Sequence, residues 1–293
     1  MFVIAGATGR TGKVAAEKLL LQKKPVRVIV RNAEAGEEWR KRGAEVAVLD
    51  LDDVLSLATA LHGATGAYLL LPPNPASTDA RCDNARRTAG YVKAAEVSGV
   101  RHVVFLSSIG SQKDSGTGPI LSTHDAEVAL AKVDADVTFL RAAYFMENWA
   151  TSLYAIGRGA LPAFLTVDRA IPMIASADIG AAAARLLLAG GRDRTVVELS
   201  GPRDYSPKDI AAALSRITGK TVTVEQSPEE AIVAAFMDAG LNAHWARLYQ
   251  DMIRGLNTGL VDFERGEARG IRGSTDIETV LKELVSQSVG GPG

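Results

Sequence analysis

Seven residues near the start of the chain have the types and spacing to hold an anion. Gly6-Ala7-Thr8-Gly9-Arg10-Thr11-Gly12 follows the apolar run Met1-Phe2-Val3-Ile4-Ala5 and leads into Lys13 to Leu21, which reads as a helix. A strand that feeds a glycine turn and opens a helix turns backbone N–H groups and the positive helix end toward a negative group. That is how a dinucleotide pyrophosphate is held. Gly6 can take a turn conformation that a Cβ would forbid. Gly9 lets a phosphate approach the backbone, and Gly12 lets the helix pack close to the sheet. The spacing is G-x-x-G-x-x-G rather than G-x-G-x-x-G, so the strand–turn–helix context carries the reading as much as the glycines do.

The end of the second strand separates the two nicotinamide dinucleotides. An acidic residue there accepts from the ribose 2′-OH, whereas a guanidinium pairs with a 2′-phosphate through charge-assisted, bidentate hydrogen bonds. Here that position is Arg31, 19 residues after Gly12 and followed by Asn32. Arg10, inside the turn, offers a second cation. The chain is therefore expected to take NADP(H). The plainer reading of Arg31 is a solvated charge that closes a strand, and the glycine turn upstream weighs against it. Asp50 after the third strand suits the adenine amino group or a loop cap.

These residues need elements to position them. Strand-like runs at 26–30, 46–49, 67–71, 102–106 and 137–140 alternate with helix-like runs at 53–62, 83–98 and 123–132 and a charged connector around 38–42. Ala85, Ala89, Val92, Ala94 and Ala95 are the apolar positions of the 83–98 helix. Such alternation predicts an α/β fold with a doubly wound, mostly parallel Rossmann sheet. Ligands then bind beyond the carboxyl ends of the strands. The residues placed there are Gly6 to Gly12, Arg31, Asp50-Leu51, Leu71-Pro72-Pro73, Ser107-Ser108 and Arg141 to Asn148. Residues 1–150 are expected to form the cofactor-binding core. Residues 151–293 should add strands at the sheet edge and a small C-terminal α/β lobe, within one compact unit. Helices are expected at 177–188, 207–218, 228–239 and 243–256, strands at 195–199 and 221–225, and a frayed tail from Ser286 to Gly293.

The bulk numbers exclude several classes. The 293 residues are 47% hydrophobic, so a large core is available, and the formal net charge of −1 gives no basic excess for nucleic acid. Cys82 is the one cysteine, which rules out a disulfide within the chain. No histidine spacing suggests a metal site, and His62, His102 and His244 are scattered. The absence of a leader or an apolar run of membrane length makes a cytoplasmic protein, free of membrane, the expectation.

The opening Val3 to Gly12, Val30-Arg31-Asn32, Asp50-Leu51-Asp52-Asp53 and Phe105-Leu106-Ser107-Ser108-Ile109-Gly110 together resemble the NmrA-like branch of the atypical short-chain dehydrogenase/reductase family. So do Leu140-Arg141, Tyr144-Phe145-Met146-Glu147-Asn148, Ile171-Pro172 and Ala177-Asp178-Ile179-Gly180. The resemblance covers most of the first 190 residues and is fairly specific for the branch. It implies NADP(H), and either a reductase of quinone-like or azo-like acceptors or a protein that binds the cofactor without turnover and senses redox state.

The resemblance also exposes a departure. Many short-chain dehydrogenases carry a Tyr-x-x-x-Lys pair on the helix after the fifth strand, with a Glu often four positions further on. Aligning Glu127 with that Glu puts Thr123 at the Lys position and Pro119 at the Tyr position. Neither can relay a proton to a carbonyl. Hydride transfer to a conjugated acceptor asks less, because the acceptor is electrophilic and solvent supplies protons. His124 is the nearest titratable residue and the candidate proton donor, with a helix-start contact to Glu127 as its plainer role. Thr8, Gly9, Arg10, Thr11, Leu51, Leu71, Pro72, Ser107 and Ser108 are expected on the cofactor. Tyr144, Phe145 and Asn148 are expected in an acceptor pocket, although such aromatics more often pack a core.

The resulting expectation is an NADPH-dependent reductase acting on a small-molecule electron acceptor, needing neither metal nor flavin, with a homodimer allowed. The alternative is a non-enzymatic NADP(H) sensor that works through a protein partner. A reductase of specialised metabolites is a third reading. Related phenylpropanoid reductases usually keep a Lys where this chain has Thr123-His124.

Overall fold

Strand β1 (Phe2–Ile4) is three buried apolar residues in a row, the pattern of a strand covered on both faces. The computed structural model of the chain describes residues 1–264, 266 and 268–289. After β1 come α1 (Arg10–Leu21), β2 (Val26–Val30), α2 (Ala33–Lys41), β3 (Glu45–Val48), α3 (Val54–Leu61), β4 (Gly66–Leu69), α4 (Ala80–Ser98), β5 (His102–Ser108), α5 (Leu121–Leu130) and β6 (Asp136–Ala142). The second half supplies β7 (Tyr144–Phe145), β8 (Ala160–Ala163), β9 (Ile171–Ile174), α6 (Ser176–Ala189), β10 (Arg194–Ser200), β11 (Asp204–Tyr205), α7 (Pro207–Thr218), β12 (Thr223–Gln226), α8 (Ile232–Asp238), α9 (Ala243–Thr258), β13 (Arg269–Arg272) and α10 (Ile277–Val289).

Eight strands form one sheet in the order β13-β10-β6-β5-β4-β1-β2-β3. Every pairing in it is parallel. The strand order reverses between β1 and β4, which opens a crevice at their carboxyl ends. One face of the sheet is covered by α1 and α6, with Ala15, Ala16, Leu19, Ala182 and Ala183 in its core. The other face is covered by α3, α4 and α5, with Leu57, Leu61, Tyr91, Ala94 and Leu130. Small residues let α1 and α6 approach closely, since a Cβ at Gly180 would stand 2.4 Å from the Thr11 carbonyl oxygen.

The lobe is built from the sheets β11-β9-β7 and β12-β8, with α7, α8, α9 and α10 packed around them. Helix α7 begins with a capping box in which Ser206 and Asp209 satisfy each other's backbone N–H groups. That is the start its Ser-Pro sequence predicts.

Several elements differ from expectation. Helix α1 begins at Arg10 rather than Lys13, so the last glycine of the turn is already helical. Helix α4 begins at Ala80, and its buried stripe is Ala80, Thr88, Tyr91, Ala94, Ala95 and Ser98. Ala85 and Ala89 are exposed. The expected frayed tail is helical through Val289 as part of α10, and 290–293 lie outside the described residues. Residues 146–158 form 3-10 turns, and the short β7, β8, β9, β11 and β13 were not foreseen. No helix among the described residues is long and apolar enough to cross a membrane.

Candidate functional site

The glycine turn is built as its sequence requires. Gly6 has φ +66°, a left-handed conformation that favours glycine. A Cβ at Gly12 would lie 2.4 Å from the Gly6 carbonyl oxygen and 2.5 Å from that of Ala5, so only glycine lets α1 start this close to β1. Gly9 takes the N-cap position with extended backbone and no side-chain cap. Its own N–H donates to Gly6 O at 2.8 Å. The N–H groups of the first helical residues of α1 have no intrahelical acceptor, and Thr8, Gly9 and Arg10 are exposed beside them. Thr11 differs: its hydroxyl is buried and accepts from the Tyr68 hydroxyl at 2.9 Å. Its side chain locks α1 to β4.

Arg31 directly follows β2 and is exposed. The next residue, Asn32, caps α2 by accepting from the Ala35 N–H at 2.9 Å. Neither Arg10 nor Arg31 has an ion-pair partner among the described residues, whereas Arg27, Arg42, Arg81 and Arg87 are paired. Asp50 follows β3 and accepts from the Asp52 N–H at 2.9 Å. Asp52 in turn grips Arg87 of α4 at 2.7 and 2.9 Å, so Arg87 tethers this loop rather than lining a solvated face. Leu51, Leu71 and Pro72 are half-buried at the same edge of the sheet. Tyr91 fixes the end of β4 by donating to Leu70 O at 2.8 Å. The uncapped glycine turn, the free arginines and this apolar edge fit a dinucleotide that carries an additional phosphate.

The loop after β4 is clamped by α9, a contact that sequence reading missed. Asn242 donates to Pro75 O and Ser77 O at 3.0 and 2.9 Å, and Trp245 Nε1 donates to Asn74 O at 2.8 Å. The Ala80 N–H donates to His244 Nε2 at 2.9 Å. These partners lie more than 160 positions apart, and nothing in the local sequence marks them.

Ser107 and Ser108 have opposite fates. Ser107 was placed on the cofactor, but it is 3% exposed and its hydroxyl donates to Glu127 Oε1 at 2.5 Å. Alternation along β5 turns it into the fold. Ser108 is half-buried and lines a cleft with Tyr144, Phe145 and Asn148. Behind Ser107 lies a buried ion pair: Arg141 Nε and Nη2 donate to Glu127 at 2.9 and 2.6 Å, and Nη1 donates to Glu264 at 2.7 Å. Burial opposes the Arg141 charge, but the two carboxylates outweigh it and hold its pKa above the usual arginine value.

The positions of the absent Tyr/Lys pair are structural. Thr123 donates to Ile120 O at 2.8 Å and lies 2.7 Å from the Ser111 hydroxyl, while Pro119 sits in a 3-10 turn. His124 Nδ1 is 2.8 Å from Ser111 O. A carbonyl only accepts, so Nδ1 carries a proton and donates it to this contact. His124 is not among the residues that line either cleft near Tyr144. The structure gives it the work of anchoring the 107–113 loop and does not bring it together with the acceptor-pocket candidates.

Those candidates do come together. Tyr144, Phe145 and Asn148 line the cleft beside Ser108, and Tyr144 and Asn148 also line a larger one of about 400 Å³ under the lobe. Burial pushes the Tyr144 hydroxyl up to about 12, against the opposing pull of the Asn148 side chain. Tyr144 is thus a neutral phenol at physiological pH. Cys82 is exposed, and no group of metal-ligating side chains occurs among the described residues.

A family model described as the NmrA-like family matches residues 1–253. NAD(P)H azoreductase of Xenophilus azovorans is 28% identical over 239 residues, 78% of this chain and 79% of that protein. Quinone oxidoreductase 2 of Escherichia coli K12 is 28% identical over 265 residues, 88% of this chain and 89% of that protein. The crystal structure of the E. coli NADPH-dependent quinone oxidoreductase complexed with NADPH superposes with a TM-score of 0.82 at 25% identity, covering 97% of this chain and 100% of that one.

Proposed function

The chain belongs to the NmrA-like family, and we propose that it is an NADPH-dependent oxidoreductase that reduces a quinone-like or azo-like conjugated acceptor. Relatives of both kinds support an NAD(P)H-dependent oxidoreductase as the coarser statement. The observation that carries the choice of NADPH is the pair of exposed arginines, Arg10 and Arg31, without an ion-pair partner among the described residues and flanking an uncapped glycine turn.

Bound there, the dinucleotide supplies a hydride. The residues of the chain bind and orient it. The first-turn N–H groups of α1 hold the pyrophosphate, and the turn's glycines let it approach. Arg31 and Arg10 hold the 2′-phosphate, and Asp50 faces the adenine side. Leu71, Pro72 and Ser108 bound the nicotinamide side, next to the cleft that Tyr144 and Asn148 share. The neutral Tyr144 hydroxyl is a hydrogen-bond donor suited to orienting an acceptor oxygen or nitrogen. With Thr123 and Pro119 at the relay positions, protons come from solvent. An acceptor that is already electrophilic tolerates this, and an ordinary ketone does not.

Arg31→Asp tests the cofactor assignment. Each charge-assisted hydrogen bond lost is worth about 1.5–3 kcal/mol, so NADPH affinity should fall roughly 10- to 100-fold. NADH affinity should hold or improve, because Asp can accept from a ribose 2′-OH. Equal losses for both cofactors, measured by fluorescence titration, would remove the 2′-phosphate role.

A further inference from the structure

The lobe cleft has a composition that selects among acceptors. Its walls include Phe164 and Phe236, and its polar lining is made of hydroxyl and amide groups such as those of Tyr144, Asn148, Ser152 and Ser227. Among the described residues, none that lines it carries a charge at neutral pH. The aromatic wall is stacked: Phe164 lies 6.1 Å from Phe236, and Phe236 lies 5.1 Å from Tyr249 with the rings 10° apart. Trp245 closes the row 6.0 Å from Tyr249. Burial raises the Tyr249 pKa, so this ring is neutral as well. Two arginines from neighbouring segments are already engaged, Arg158 by Glu225 and Arg254 by Glu229.

We infer that this cleft is the acceptor site and that it admits flat, uncharged aromatic acceptors while rejecting those that carry a sulfonate, carboxylate or phosphate. This rests on the reductase reading above and narrows its substrate class. Stacked rings reward a planar ligand. An anion that enters loses its hydration and meets no cation in return. Tyr144 and Asn148, common to this cleft and the one beside Ser108, mark where an acceptor lying here reaches the cofactor edge.

The test is calorimetric titration of the full-length protein, saturated with NADP⁺, with a redox-inert pair, 2-naphthol and 6-hydroxynaphthalene-2-sulfonate. The sulfonate should bind at least about tenfold more weakly, reflecting a buried charge without a partner. Ser227→Lys should narrow that gap by supplying a cation, and Phe236→Ser should weaken 2-naphthol. Circular dichroism of each variant checks that it is folded. Equal binding of the two ligands, or binding of neither, overturns the inference. Because neither ligand accepts hydride, the result is independent of turnover. Discrimination without NADPH oxidation by any acceptor would retain the site's selectivity and remove the reductase. Turnover without discrimination would do the reverse.

Discussion

Gly12→Ala should cost the chain most of its affinity for NADPH. The added Cβ would sit 2.4 Å from one backbone oxygen and 2.5 Å from another, and neither belongs to a flexible side chain that could turn away. Helix α1 would have to retreat from β1, carrying its first-turn N–H groups with it. Retreat is opposed on the other side, where Gly180 of α6 packs against the Thr11 carbonyl. Overpacking of this kind costs about 1–3 kcal/mol of stability. The displacement of the anion-binding N–H groups should cost roughly tenfold or more in affinity in addition. Gly157→Ala is the control, since nothing lies within 4 Å of a Cβ there. Urea unfolding and cofactor titration read the two effects separately. Wild-type affinity in Gly12→Ala would mean that the glycine turn does not hold the pyrophosphate.

Glu127→Ala should be among the most destabilising single changes in the chain. Glu127 and Arg141 have side chains only 9% and 6% exposed, and removing the carboxylate strands the guanidinium inside the fold. Glu264 still accepts from Nη1, but it is about half exposed and pairs with one edge of the fork only. Breaking a buried pair by deleting one partner costs about 3–5 kcal/mol. Ser107 loses its shorter hydrogen bond at the same time and keeps only the one to the Ser111 hydroxyl. Replacing both charges, as Glu127→Ala with Arg141→Met, should recover a large part of that loss, because no unpaired charge remains. A Glu127→Ala variant within about 1 kcal/mol of wild type would show that the pair is not what holds α5 against β6. This pair sits behind the carboxyl ends of β5 and β6, and its loss should also raise KM for the acceptor by loosening the loop from Ser108 to Ser111.

The parallel core and the glycine turn were legible from sequence because both rest on local rules. Buried apolar runs such as Val26–Val30 and the glycine spacing at 6, 9 and 12 act within a few residues. The side-chain direction of Ser107 was not legible. Its register in β5 is fixed by pairing with Arg141 on β6, a contact between distant segments. The partner of His124 was not legible for a similar reason, since it is the Ser111 carbonyl and not Glu127 on its own helix. In the lobe, strands of two to four residues and a 3-10 segment give no periodicity long enough to read. The clamp of α9 on the 74–80 loop joins residues that no spacing rule relates.

The most direct measurement of the central claim is NADPH oxidation followed at 340 nm with purified protein and a panel of 1,4-benzoquinone, menadione, an azo dye and an α,β-unsaturated ketone. The account predicts saturable, NADPH-preferring turnover with a quinone or azo acceptor and a marked loss on replacing Tyr144. Tight NADPH binding with no oxidation by any of the four would contradict it and would favour a sensor of NADP(H) that acts through another protein.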